Sequence, residues 1–90
     1  MVPASSEVIV ALPASVALHA RPAATFVKTA MRFRSKVTVA VDGKVADAKS
    51  ILAVLALGAI GGTALRLKAE GEDESAALDA LAACVSGLAE

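Results

Sequence analysis

The sequence contains one histidine, and that residue is the first candidate for chemistry near neutral pH. His19 lies in the segment Leu18-His19-Ala20-Arg21-Pro22-Ala23-Ala24. A neutral imidazole is a competent nucleophile that forms covalent intermediates, and its charge changes near neutrality. Arg21 adds a permanent positive charge on a planar fork that suits phosphate oxygens. The two residue types at this spacing predict a site that holds a phosphoryl group.

The predicted helix that follows His19 strengthens this interpretation. Apolar residues recur there at spacings of three and four, at Ala23, Phe26, Val27 and Ala30. This period predicts a helix from Pro22 to about Arg32, with the proline in its first turn. The free N–H groups of a helix start and the helix dipole form an anion site. The alternative, that His19 is only a cap or a packed ring in a loop, stays open on these grounds.

Hydrophobic periodicity predicts the other elements that must position this site. Apolar runs and alternations predict four strands, at residues 7–12, 37–41, from 45 onward and 64–69. Asp42-Gly43 predicts a hairpin turn between the second and third strands. Two further helices are predicted, a short one at 51–57 and one with the apolar stripe Leu78, Leu81, Val85 and Leu88. The order β-α-β-β-α-β-α predicts a two-layer α+β sandwich, with helices on one face of a mainly antiparallel sheet.

Length and composition favour one small soluble domain over residues 1–90. The chain has 90 residues, a formal net charge of zero, 57% hydrophobic residues and a mean hydropathy of +0.68. Its longest uncharged run, residues 50–65, contains three glycines and is shorter than the roughly 20 apolar residues of a membrane-spanning helix. The lack of a basic excess argues against nucleic acid and against an anionic membrane as partners.

The single cysteine and the N-terminal segment indicate the compartment. Cys84 has no partner for a disulfide or a CxxC motif, and we expect it to be a small core residue. Further ligands for a metal site with His19 are lacking, so no metal is expected. No Lys or Arg precedes Arg21, whereas a secretion signal needs a positive n-region. These features predict a cytoplasmic protein.

The zero net charge is a cancellation between segments. Residues 21–49 contain seven basic and two acidic side chains, whereas residues 70–90 contain six acidic and no basic ones. We therefore expect a polarised molecule whose basic side, around the His19 motif, is steered toward acidic protein partners.

Three segments resemble the histidine-containing phosphocarrier family HPr of the bacterial phosphoenolpyruvate-dependent sugar phosphotransferase system. Residues 18–23 resemble its phosphorylation motif, residues 48–58 its second signature, and residues 70–74 a third conserved turn. The spacing between them agrees without a gap, and the resemblance covers residues 6–90. One departure is Val16-Ala17, where many relatives have Asn or Ser followed by Gly, so a side chain able to cap the first helix is missing.

The resemblance implies a phosphocarrier rather than an enzyme, with no cofactor. Enzyme I, phosphorylated by phosphoenolpyruvate, would pass its phosphoryl group to Nδ1 of His19, and Arg21 would stabilise the phosphoryl charge. His19 would then donate the group to the IIA unit of a sugar permease. The family fold is an open-faced, four-stranded antiparallel sheet covered by three helices, and the resemblance implies a monomer.

The short helix after Ser50 is a candidate docking surface. If the family geometry holds, Ile51, Leu52 and Leu55 face outward, flanked by the basic residues Lys28 and Lys49, whereas Val54 and Leu57 belong to the core. The alternative is that all five apolar residues of this helix are core positions.

Ser50 has two predicted roles. As an N-cap, its hydroxyl accepts a hydrogen bond from the backbone near Leu52 or Ala53, which stabilises a helix by about 1 kcal/mol. The resemblance also implies a regulatory phosphorylation site at Ser50, served by a serine kinase and phosphatase. A phosphate there would repel acidic partners.

Three other functions compete with a sugar-linked carrier. A paralogous carrier of a regulatory or nitrogen-related phosphotransfer chain would use the same His19 with another enzyme I. A nonphosphorylated binding module would use only the apolar patch of the short helix. A small-molecule enzyme is the weakest alternative, because His19 has no carboxylate pair or second acid/base partner in the sequence.

Overall fold

Four strands and three helices form the part of the chain described by a computed structural model, residues 5–88. They are β1 (Ser5–Ala11), α1 (Ala20–Ala30), β2 (Lys36–Val41), β3 (Lys44–Asp47), α2 (Ile51–Ala56), β4 (Ala64–Glu70) and α3 (Glu74–Ser86). All strand pairs are antiparallel, and the sheet order is β1-β4-β2-β3. The predicted element order and the four-stranded antiparallel sheet with three helices are confirmed. β1 and α1 begin two residues earlier than predicted.

The sheet has one covered and one open face, which follows from the alternation of its side chains. Val37 and Val39 on β2 and Leu65 and Leu67 on β4 are fully buried on the covered face. The residues between them on β4, including Arg66, are exposed on the open face. A period of two along the strands thus separates an apolar face from a polar one.

The helices pack as one layer on the buried side of the sheet. α3 contacts β1 and β4, α2 contacts β3, and α1 contacts both other helices. Phe26 of α1 is completely buried in the core of this layer. The predicted stripe of α3 is confirmed at Leu78, Leu81 and Val85, which are buried, whereas Leu88 follows the end of α3 and is half-buried.

The turn between β2 and β3 has the geometry that its sequence predicts. Asp42 and Gly43 have φ angles of 49° and 84°. Positive φ at both central residues is the signature of a type I′ turn, which matches the twist of a two-residue hairpin.

Cys84 is a half-buried residue, so the prediction that it belongs to the core is wrong in part. Its Sγ atom lies 3.6 Å from the hydroxyl oxygen of Thr29, at the contact between α3 and α1. A position on the flank of the α3 stripe leaves the side chain at the edge of the core.

No helix within residues 5–88 combines the length and the apolar character needed to cross a membrane.

The carboxylate of Asp73, just before α3, joins two loops. It accepts hydrogen bonds from the backbone N–H groups of Arg34 and Ser35, each at 2.9 Å, and from the hydroxyl of Ser35. The Ser35 hydroxyl, followed by the Arg34 amide, lowers the pKa of Asp73 to about 2 from its ordinary value of 3.8. The segment between α1 and β2 is therefore fixed to the turn that follows β4.

We expect Asp73→Asn to lower the melting temperature by several degrees at pH 7. Because folding depresses the pKa of Asp73, its contribution to stability is complete above about pH 4 and is lost as the pH falls through about 2. The difference between wild type and variant should therefore shrink over this range in thermal unfolding monitored by circular dichroism. Asp79→Asn, at an exposed position on α3, is the matched control. A difference in melting temperature between wild type and Asp73→Asn that stays constant down to pH 2 would contradict this account.

Candidate functional site

His19 is the N-cap residue of α1, and its side chain is exposed. Its backbone is extended, with φ −145° and ψ 173°, and the side chain makes no capping hydrogen bond. The His19 N–H donates to the Ala17 carbonyl oxygen at 3.0 Å, and the His19 carbonyl oxygen accepts from the Ala23 N–H at 3.5 Å. The imidazole is therefore free to react at the surface while its backbone is tied on both sides. As the sequence predicts, no side chain at Val16 caps this helix.

Ala20, directly after His19, adopts a left-handed backbone conformation with φ 49°. For a residue with a side chain this region costs roughly 1–2 kcal/mol, because Cβ approaches the following carbonyl oxygen. Such strain persists only where surrounding contacts impose it, and it is concentrated at functional sites. Neither the residue type nor its neighbours predict this conformation.

Arg21 lies in the first turn of α1, two residues from His19, and is exposed. It borders an open hollow of about 550 Å³ between the start of α1 and the end of α3, where Gly87 and Leu88 form the opposite wall. The first-turn N–H groups supply positive partial charge at the helix start that His19 caps, and Arg21 adds a full positive charge to the same turn. This arrangement suits a dianionic phosphoryl group on the imidazole. Residues 5–88 contain no cluster of His, Cys, Asp and Glu suited to a metal ion.

The short helix α2 presents an apolar surface, which we call the α2 patch, formed by Ile51, Leu52 and Leu55. Their side chains are 38%, 77% and 37% exposed, whereas Val54 and Leu57 are buried. The predicted facing of this helix is confirmed, and the alternative that all five residues are core is wrong. The role of the patch in docking stays a prediction.

Ser50 is the N-cap of α2, as predicted. Its Oγ atom accepts a hydrogen bond from the Ala53 N–H at 3.3 Å. The residue is half-buried.

The two basic residues predicted to flank the patch differ in their surroundings. Lys28 is exposed on α1, nine residues beyond His19, which corresponds to about 13 Å along the helix axis. Lys49 is half-buried, and its Nζ donates to the Phe33 carbonyl oxygen at 2.7 Å. Lys49 therefore also ties the loop after α1 to the start of α2, a role that the sequence did not indicate.

The loop after α2 contacts the segment that leads to His19. The N–H of Leu18, a buried residue, donates to the Ala59 carbonyl oxygen at 2.9 Å. The α2 patch and His19 thus belong to segments joined by a direct backbone hydrogen bond. No residue type in the sequence indicates this contact.

The fold and the site define a class of protein, a small α+β sandwich that presents an exposed histidine at a helix start. The family model PTS-HPr, described as "PTS HPr component phosphorylation site", matches residues 5–86. The chain belongs to this HPr family, the phosphocarrier proteins of the phosphotransferase system.

Individual relatives agree with this assignment. The phosphocarrier protein HPr of Haemophilus influenzae is 47% identical over 75 residues, 83% of this chain and 88% of the relative. The HPr-like protein Crh of Bacillus subtilis is 52% identical over 68 residues, 76% of this chain and 80% of the relative. The crystal structure of a phosphocarrier protein HPr from Bacillus anthracis superposes with a TM-score of 0.87 at 39% identity, covering 91% of this chain and 98% of that one.

Proposed function

We propose that this chain accepts a phosphoryl group from enzyme I on His19 and passes it to the IIA unit of sugar permeases. The observation that carries the proposal is the exposed imidazole of His19 at the start of α1 in a chain of the HPr family. The chain acts as a carrier and not as an enzyme, because its own side chain is the species that is phosphorylated and then dephosphorylated. It needs no cofactor, and a monomer in the cytoplasm stays our prediction.

In the transfer step, Nδ1 of neutral His19 attacks the phosphorus atom of the phosphohistidine of enzyme I. A new N–P bond forms as the donor N–P bond breaks, and that electron pair returns to the donor imidazole. Arg21 and the first-turn N–H groups of α1 stabilise the phosphoryl oxygens, a role supported by the position of Arg21 in the first turn of the helix that His19 caps. The reverse exchange with an acceptor histidine on the IIA unit completes the cycle.

We assign docking of both partners to the α2 patch with Lys28 and Lys49. The patch lies on the segment joined to the His19 loop through Leu18 and Ala59. We propose that a partner docked on the patch reaches His19 from this side of the molecule. We further propose Ser50 as a regulatory phosphorylation site, where a dianion beside Ile51 would oppose the docking of acidic partners.

The test is phosphoryl transfer to the purified chain. Incubation with enzyme I, Mg²⁺ and labelled phosphoenolpyruvate should incorporate one phosphoryl group per chain, with label that is labile in acid and stable in base. Omission of enzyme I is the control and should leave the chain unlabelled. Acid-stable label, or none with an active enzyme I, would refute the proposal.

A second candidate is a paralogous HPr-like carrier of a regulatory or nitrogen-related chain. We keep it because the sequence is also similar to an HPr-like protein, with 52% identity to the protein Crh. The two candidates are separated by comparing kcat/KM for transfer from a sugar-linked and a nitrogen-linked enzyme I. A nonphosphorylated binding module would accept the group from neither.

A further inference from the structure

Two β-turns lie in backbone contact beside the segment that leads to His19. The turn at residues 13–16 is closed by the Val16 N–H, which donates to the Pro13 carbonyl oxygen at 3.0 Å. The turn at residues 60–63 is closed in the same way by Thr63 and Ile60, also at 3.0 Å. We call this pair of turns the double turn.

The turns meet where Gly61 faces the Ala14 peptide group. A Cβ atom at residue 61 would overlap the Ala14 carbonyl oxygen and would lie 2.7 Å from its carbonyl carbon and 3.3 Å from the Pro13 carbonyl oxygen. All of these are backbone atoms, so no change of side-chain rotamer relieves the overlap. Gly61 is not among the residues with positive φ. Its lack of a side chain therefore serves the close approach of the two turns and not an unusual backbone conformation.

Hydrogen bonds on both sides of this contact hold residues 12–18, the segment that leads to His19, against the 60–63 turn. Toward β1, the Leu12 N–H donates to the Thr63 carbonyl oxygen at 2.9 Å, and the Gly62 N–H donates to the Leu12 carbonyl oxygen at 3.1 Å. Toward α1, Leu18 donates to Ala59 at 2.9 Å. Residues 12–18 are thus fixed at both ends, and the last of them directly precedes His19.

We propose that Gly61 is a positioning residue for phosphoryl transfer at His19, an inference that rests on the proposed function. A methyl group at residue 61 forces one of the two turns to move until the overlap with Ala14 is relieved. Two backbone hydrogen bonds carry this movement to the imidazole: His19 donates to Ala17, and Leu18 donates to Ala59. A misplacement of about 1 Å at a reacting group lowers a rate by up to about a hundredfold.

The decisive comparison is between Gly61→Ala and Gly62→Ala. Gly62 has φ +83°, and a Cβ atom there meets nothing within 4 Å, so the control strains the same turn without pressing on Ala14. For transfer from enzyme I, we expect Gly61→Ala to lower kcat about tenfold while KM changes less than about twofold, because the α2 patch is unaltered. Gly62→Ala should lower the melting temperature and should lower kcat less than Gly61→Ala does, because its Cβ atom does not press on Ala14. A wild-type kcat in Gly61→Ala, or an equal loss of kcat in both variants, would overturn the inference.

Hydrogen exchange in the wild-type chain gives a test that does not depend on how the variants fold. If the double turn fixes residues 12–18, the Leu18 amide should exchange as slowly as the paired amides of β1 and β4. Exchange of this amide at the rate of an open loop refutes the positioning role. Failure of the wild type to accept a phosphoryl group would instead refute the proposed function, and the Leu18 result would still report on the contact.

Discussion

The His19→Ala variant should incorporate no acid-labile phosphoryl label under conditions in which the wild type accepts one group per chain. His19 is the single histidine of the sequence, so no second imidazole can replace it. The single thiol of the sequence, that of Cys84, is half-buried between α1 and α3. Loss of the nucleophile therefore removes the phosphoryl acceptor. We expect the rate of label incorporation to fall at least about a thousandfold, on the order of what is lost when a covalent catalyst's nucleophile is removed.

The same substitution should leave the fold intact. The His19 side chain is exposed and makes no capping hydrogen bond, so its removal should change the free energy of unfolding by less than about 0.5 kcal/mol. The matched control is His19→Gln, which keeps a polar side chain at the N-cap and should also remain unlabelled. Stoichiometric acid-labile label in either variant would place the acceptor elsewhere. Acid-stable label would instead indicate a hydroxyl, for which Ser50 is the first residue to test.

The sequence was sufficient to predict features that depend on neighbouring residues. The period of α1 predicted an apolar face that includes Phe26 and Val27, and both residues are buried. Asp42-Gly43 predicted the hairpin turn, and Ser50 predicted the cap of α2. In each case the physical cause acts within one or two turns of chain, so it can be read from local residue types.

Features that depend on contacts between distant segments could not be predicted in this way. The hydrogen bond between Ser35 and Asp73 joins residues 38 apart in the sequence, and the one between Lys49 and Phe33 joins residues 16 apart. From the sequence, the acidic turn before α3 was only a segment that resembles the family, and Lys49 was expected only to flank a docking surface. The positive φ of Ala20 has the same origin, because a strained conformation is imposed by surrounding structure and not by alanine itself. The candidate residues for chemistry, His19 and Arg21, could therefore be named from the sequence, whereas these long-range contacts could not.

A glutamate at Leu55 should raise the KM for transfer from enzyme I by at least about thirtyfold, the effect of losing one central contact of an interface. The Leu55 side chain is 37% exposed, and this exposed part is the area that a partner would cover. The substitution removes apolar contact area and adds a negative charge to a surface that we propose binds acidic partners through Lys28 and Lys49. The value of kcat should change little, because His19 and Arg21 are untouched.

Two variants separate the causes of this loss. Leu55→Gln removes the apolar contact without adding charge, so its KM should rise less than that of Leu55→Glu and should depend less on salt. Ile9→Glu is the control for surface charge, because Ile9 is 60% exposed on the open face of the sheet and pairs with Arg66 on β4. Its KM should equal that of the wild type. If Leu55→Glu and Ile9→Glu raise KM equally, net charge rather than the α2 patch governs docking. If neither variant alters KM, enzyme I binds elsewhere on the molecule.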